Sequence, residues 1–164
     1  MPIIAAEPLL ATVRAMCKAA GSSDYEAELV AENLVMANLS GHDSHGVGML
    51  PAYFDNLHAG GLKVNQHAEV VRDEGAVMVV DGNAGFGQVI GKESMDIAIA
   101  RGAQEASSAK AVAEASDIVM LCMGTSEHVE SRMRGENGVI AGLHPGAVVV
   151  DFGTSLPGSS RKTT

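Results

Sequence analysis

The chain has 164 residues, 46% of them hydrophobic but only 3% aromatic, with no tryptophan. A core of that make-up rests on Ala, Val, Leu, Ile and Met, and the length suits one domain of ordinary size or two small ones. The formal net charge of −9, from 20 acidic against 11 basic residues, argues against nucleic acid and against an anionic membrane surface as partner.

No apolar run approaches the roughly 20 residues that a membrane helix needs. The first residues lack a basic region ahead of an apolar stretch, so no signal peptide is expected. Two cysteines, Cys17 and Cys122, stand far apart and outside any Cys-x-x-Cys pattern. That usage suits a reducing compartment, the cytoplasm, with both read as small buried hydrophobes.

Residues 7–20 carry apolar side chains at helical spacing (Leu9, Leu10, Val13, Met16, Cys17), with Pro8 suited to the first turn and Gly21 to the end. Ser23 opens a second helix, with Glu26 three residues on as in a capping box. Its apolar face is Leu29, Val30, Leu34, Val35 and Met36, extended by Leu39. Gly41-His42-Asp43-Ser44-His45-Gly46 breaks that helix, and a third is expected over 49–58, stopped by Gly60-Gly61. Strands are expected over 68–71 and 76–80, split by the turn-like Asp73-Glu74-Gly75. After the turn Asp81-Gly82-Asn83, a helix over 88–101 offers Val89, Ile90, Met95, Ile97 and Ile99 to the core.

The last third changes character. A short helix over 110–115 leads to the continuous apolar run 117–123, the mark of a parallel strand buried on both faces. A helix over 126–134 and a second buried strand over 147–151 complete a βαβ unit. The expected fold class is therefore α/β: an N-terminal three-helix group, a short strand pair, then an incomplete Rossmann-like βαβ unit.

Three places could carry chemistry. A histidine such as His45, in a glycine-flanked loop between helices, can reach a cleft, and imidazole is the side chain whose chemistry suits proton transfer near neutrality, with Ser44 placed to orient it. By spacing alone an exposed loop histidine is the better reading. His42 with His45 lacks the carboxylates or cysteines that complete a metal site, so no metal is expected. Gly85-Phe86-Gly87-Gln88-Val89-Ile90-Gly91 looks like a dinucleotide turn, but its third glycine comes one position late, and a structural turn is the better reading. Finally, Met123-Gly124-Thr125 and Asp151-Phe152-Gly153-Thr154-Ser155 follow the two late strands, where open α/β sheets bind ligands. From the residues alone, ordinary loop glycines and helix caps are the better reading there.

Residues 7–101 resemble the type-2 malate/lactate dehydrogenases, and most of all their hydroxycarboxylate dehydrogenase branch. The resemblance rests on Gly41-His42-Asp43-Ser44-His45-Gly46-Val47-Gly48-Met49-Leu50-Pro51, on Gly60-Gly61-Leu62, and on Val80-Asp81-Gly82 running into Gly85 to Gly91. It implies NAD- or NADP-dependent interconversion of small 2-oxo and 2-hydroxy acids, with His45 as acid/base and Ser44 as its relay partner. Many members carry a substrate-binding Arg four residues after the histidine; Met49 stands there, as in the hydroxycarboxylate branch. The resemblance also implies that Gly85 to Gly91 is not the nucleotide site.

Residues 102–164 resemble the 3-hydroxyisobutyrate and tartronate-semialdehyde type of β-hydroxyacid dehydrogenase. The matching stretches are Ala113-Glu114-Ala115-Ser116-Asp117-Ile118-Val119, Glu127-His128-Val129-Glu130, Gly135-Glu136-Asn137-Gly138-Val139-Ile140 and Pro145-Gly146-Ala147-Val148-Val149-Val150-Asp151, with Pro157 and Arg161. By that resemblance Met123 and Gly124 line a cofactor loop and the Thr154 hydroxyl contacts NAD.

The expected organisation is thus a malate/lactate-dehydrogenase-like fragment over 1–101 fused to a partial NAD-binding segment over 102–164. The first family has a large nucleotide-binding and dimerising region after the position of Arg101, and the second has a glycine-rich turn and a catalytic Lys of its own. Neither region is in this sequence, so an oxidoreductase by descent, incomplete as a catalyst alone, is expected. A chimeric or truncated remnant without activity stays open, as does a binding or dimerisation module that self-associates as a homo-oligomer.

Overall fold

Residues 4–123 and 125–153 are described by a computed structural model. The chain divides into two compact units, Met1–Ala103 and Gln104–Thr164, each with its own core. The architecture is α/β, as the periodicities require.

In the first unit, helices α1 (Ala6–Ala19) and α2 (Asp24–Leu39) form the main pair. Val13 and Cys17 of α1 meet Ala27, Val30, Ala31, Leu34 and Val35 of α2 in the buried core. These are the i, i+3/i+4 positions that place side chains on one helix face. Arg14 and Glu28 form an ion pair between the two helices, and Lys18 and Asp24 another. Two short 3-10 turns, Asp43–His45 and Val47–Met49, lead into α3 (Leu50–His58), with Pro51 in its first turn. Strands β1 (Glu69–Asp73) and β2 (Met78–Asp81) pair antiparallel from Glu69 opposite Asp81 to Asp73 opposite Met78, with a bulge between Val70 and Arg72.

Helix α4 (Gly87–Ala100) closes this unit. Phe86 and Val89 at its start are buried, and Phe86 meets Tyr53 of α3 edge-on with ring centroids 5.5 Å apart. Glu93 of α4 holds the approach to β1, accepting from the Ala68 N–H at 2.8 Å and pairing with His67 Nδ1 at 2.8 Å. Burial pushes the Glu93 carboxyl up, but the Ala68 N–H and His67 outweigh it and keep it below the ordinary carboxylate range.

The second unit contains α5 (Ala109–Glu114), β3 (Ile118–Leu121), α6 (Ser126–Met133), a 3-10 turn Val139–Gly142 and β4 (Val148–Asp151). Strands β3 and β4 run parallel in register, Ile118 opposite Val148 through Leu121 opposite Asp151. Ala113, Val119, Leu121, Val129, Met133 and Val139 form its core. The helices therefore cover one face of the pair.

Several expectations need correction. The late strands are not buried on both faces: Val119 and Leu121 are buried, but Ile118, Met120 and Val148 are exposed. A strand alternates its side chains, and only one layer of helix lies against this pair. Cys17 is buried but Cys122 is exposed. Met16, Met36, Leu39, Met95 and Ile99 were assigned to the core by helical spacing yet are exposed. Met36 and Leu39 line an open apolar groove between α1 and α2, beyond the strip the two helices bury against each other. Among the described residues no helix is long and apolar enough to cross a membrane.

The two faces of β3 predict opposite responses to mutation. Leu121→Ala, at 7% exposure, is expected to cost the second unit about 2–5 kcal/mol. Met120→Lys, at 68% exposure, is expected to change stability by no more than about 0.5 kcal/mol. Denaturant midpoints of the two variants check this, and equal losses would mean that the exposed face is covered in solution.

Candidate functional site

The loop after α2 is built by a sequence of local hydrogen bonds. Gly41 takes the left-handed conformation, with φ +75°, that ends the helix. His42 N–H then donates to the Ala37 carbonyl at 2.8 Å, and His45 N–H to the His42 carbonyl at 2.9 Å, so the chain curls into a 3-10 turn. At its end Ser44 Oγ lies 2.9 Å from His45 Nδ1. The His42 and His45 rings pack at a centroid distance of 4.6 Å, tilted by 58°.

Ser44 and His45 are both exposed to solvent. A hydroxyl can donate to an unprotonated Nδ1 or accept from a protonated one, so it keeps this contact in either tautomer. The other ring nitrogen, Nε2, is then the atom with which His45 can give or take a proton.

Asn38, in the last turn of α2, was not foreseen as part of this site. Its Nδ2 donates to Asp43 Oδ1 at 2.6 Å, and its Oδ1 accepts from the Val47 N–H at 2.9 Å. A Cβ on Gly46 would stand 2.2 Å from Asn38 Oδ1, so only glycine lets the amide lie against the loop. The only signal in the sequence was the glycine itself, whose need for close approach is visible once its neighbour is known. Met49, four residues after His45, packs against the buried core.

The glycine-rich stretch before α4 has a local structural use. Asn83 and Ala84 both adopt positive φ, 51° and 61°, and the Gly85 N–H donates to the Gly82 carbonyl at 2.7 Å. A Cβ on Gly85 would lie 2.7 Å from Gln66 Cβ. The glycine is required by packing within the unit.

Of the proposed cofactor residues, Met123 is half-buried past the end of β3, while Gly124 and Thr154 lie outside the described residues, as do Ser155, Pro157 and Arg161. Gly153 approaches Met123 so closely that a Cβ would lie 2.6 Å from the Met123 carbonyl oxygen. The start of α6 is already occupied by its own side chains. Thr125 Oγ1 accepts from the His128 N–H at 3.3 Å. The Glu127 carboxyl is held below its ordinary range by its own backbone N–H and by the Thr125 hydroxyl. A carboxylate there opposes a second anion, so the described residues do not form a pyrophosphate cradle at this helix.

Cys17 offers no nucleophile, because burial, and then the nearby Glu26 carboxylate, push its thiol above the ordinary range. Among the described residues no group of three His, Cys, Asp or Glu side chains is placed to hold a metal ion.

Comparison with known proteins bears on this loop. The model of the malate/L-lactate dehydrogenase family matches residues 4–155. Hydroxycarboxylate dehydrogenase B of Escherichia coli O157:H7 is 41% identical over 107 residues, covering 65% of this chain and 30% of the relative. The structure of malate dehydrogenase from Pyrococcus horikoshii OT3 superposes with a TM-score of 0.56 at 35% identity, covering 60% of this chain and 28% of that one. A 3-hydroxyisobutyrate dehydrogenase-like mitochondrial protein of Arabidopsis thaliana is 42% identical over 62 residues, 38% of this chain and 21% of the relative. The chain thus spans less than a third of the length of these relatives. With the family match running over nearly all of its residues, the chain belongs to the malate/L-lactate dehydrogenase family.

Proposed function

We propose that this chain carries the acid/base part of an NAD(P)-dependent oxidoreductase that interconverts small 2-oxo and 2-hydroxy acids. The observation that carries the reading is the exposed His45 ring, paired through Nδ1 with Ser44 at 2.9 Å inside the Asp43-Ser44-His45-Gly46 loop. In the reducing direction Nε2–H gives its proton to the substrate oxygen; in the oxidising direction unprotonated Nε2 takes the hydroxyl proton. Nδ1 keeps its proton in both directions, so Ser44 Oγ accepts from it throughout and holds the ring in place.

The two-electron half of the reaction is the nicotinamide's chemistry, and the Glu127 carboxylate at the start of α6 opposes a pyrophosphate there. The 164 residues alone are therefore proposed to be incomplete as a catalyst. Hydride transfer needs its reacting atoms held within about 3–3.5 Å, which an unanchored cofactor does not achieve. Residues 102–164 are proposed to descend from the 3-hydroxyisobutyrate dehydrogenase type. Support comes from the Arabidopsis match over 62 residues and from the boundary between the compact units at Ala103 and Gln104. The family match to residue 155, which runs past that boundary, favours a single malate/lactate-dehydrogenase origin instead.

Anaerobic titration with NADH and NADPH tests the reading. No saturable binding at millimolar cofactor, and no turnover of 2-oxo acids, is the expected result. Binding joined to turnover would overturn the incompleteness. In that event His45→Ala must lower kcat by about 10²–10⁴-fold, or the assignment of the proton to His45 falls.

A further inference from the structure

We infer that Asn38 is the positioning residue for the Ser44–His45 pair, holding the loop through two hydrogen bonds of opposite polarity that only an amide supplies. The inference rests on the reading of His45 as the proton-transfer group, and it extends that reading to a residue outside the loop.

Ser44 and His45 are adjacent in sequence, so their 2.9 Å contact exists only while the backbone between them keeps its 3-10 curl. Two groups flank that curl. At its first residue stands the Asp43 carboxylate, which can only accept; after it stands the Val47 N–H, which can only donate. Asn38 answers both, with Nδ2 at 2.6 Å from Asp43 Oδ1 and Oδ1 at 2.9 Å from the Val47 nitrogen. The amide thus spans the turn and ties both ends to α2. Gly46 is the reciprocal half of the device: it is buried under the amide, and any side chain would strike Asn38 Oδ1.

The chemistry makes a sharp test, because the amide and the carboxylate can be exchanged. Asn38→Asp keeps an acceptor for Val47 but sets two carboxylates against each other. Asp43→Asn alone leaves Asn38 a partner of either polarity. Asn38→Asp with Asp43→Asn restores one donor and one acceptor in reversed order, forming a double-mutant cycle.

The measurements are ¹⁵N chemical shifts of the His45 ring, which report its tautomer, and hydrogen exchange at the Val47 amide, both on the full chain without cofactor. Thermal melts followed by circular dichroism establish that each variant is folded. Asn38→Ala and Asn38→Asp are expected to speed Val47 exchange by about tenfold and to move the His45 tautomer ratio towards that of free imidazole. Asp43→Asn is expected to match the wild type, and the double exchange to return both readings towards it. A folded Asn38→Ala with unchanged His45 tautomer and Val47 exchange overturns the inference. So does a double variant that stays as perturbed as Asn38→Asp. Turnover that survives in a His45→Ala variant would strike the functional reading and leave these two measurements unaffected.

Discussion

Glu26→Ala is expected to remove about 3–5 kcal/mol from the stability of the first unit, enough to threaten its folding. Glu26 sits three residues after the N-cap of α2 and is only 1% exposed. Its carboxylate accepts from Ser22 Oγ at 2.7 Å and from the Asn65 N–H at 2.9 Å. Hydrogen bonds to a charged group are worth about 1.5–3 kcal/mol each, and truncation would leave the buried Ser22 hydroxyl without its acceptor beside a hole. The same carboxylate lies at the positive end of the helix dipole. Asn65 is itself held in a left-handed conformation, φ 56°, and completes the cap from the far side. It accepts from the Ser23 N–H at 2.7 Å and donates to the Gly21 carbonyl at 2.9 Å.

The companion variant Glu26→Gln separates shape from charge. Its amide oxygen can accept from the Asn65 N–H, and its NH₂ can donate to Ser22 Oγ. A loss of about 1 kcal/mol is expected. Urea unfolding monitored by circular dichroism measures both. Equal losses for Ala and Gln would mean that the charge dominates, and no loss for Ala would mean that the buried network is not formed in solution.

This network shows where the sequence was legible and where it was not. Ser23 with Glu26 three residues on announced a capping box, and Ser23 Oγ does accept from the Glu26 N–H at 3.2 Å. The return bond to the Ser23 N–H comes instead from Asn65, far along the chain, and Glu26 turns inward. Local spacing encodes only the first half. The second half is set by tertiary approach, which no window of the sequence contains. Asn38 escaped notice for the same reason: at the end of an amphipathic helix an asparagine reads as a solvated polar residue, and its two partners become visible only when the loop folds back.

The apolar faces show a different limit. Val13, Cys17, Val30 and Leu34 follow the helical period and are buried, because periodicity reports which side of a helix faces a neighbour. Met36, Met95 and Met120 also follow their periods but are exposed, since a pattern does not say whether a neighbour is present. The Ser44–His45 pair was legible because its two partners are adjacent and lie between Gly41 and Gly46, which mark the loop in the sequence. The cofactor residues were assigned by their place after the late strands and by resemblance, and of these only Met123 falls among the described residues.

Gly142→Ala is expected to unfold most of the second unit while leaving the first intact. Gly142 lies in the 3-10 turn Val139–Gly142 and is buried. A Cβ there would stand 2.3 Å from the Lys110 carbonyl oxygen and 3.1 Å from Ala113 Cβ. The obstructing atom belongs to the backbone of α5, so no rotamer change relieves the clash. Either the turn or the helix must shift, and both line the same core. Overpacking of this kind costs about 1–3 kcal/mol and sometimes more. Domains of about 60 residues are marginal because they bury only about 60% of the surface their chains expose, so a loss of that size is comparable with the whole stability. Hydrogen exchange gives the readout: amides of Val119 and Leu121 in β3 should exchange rapidly in the variant, while those of Val30 and Leu34 in α2 keep their protection. Gly91→Ala is the control, since nothing lies within 4 Å of its added Cβ and an alanine inside α4 should stabilise by about 0.5–1 kcal/mol. If Gly142→Ala preserves protection in β3, the close approach of the 3-10 turn to α5 is not what holds this unit together, and its core must tolerate a wider spacing than the backbone contact implies.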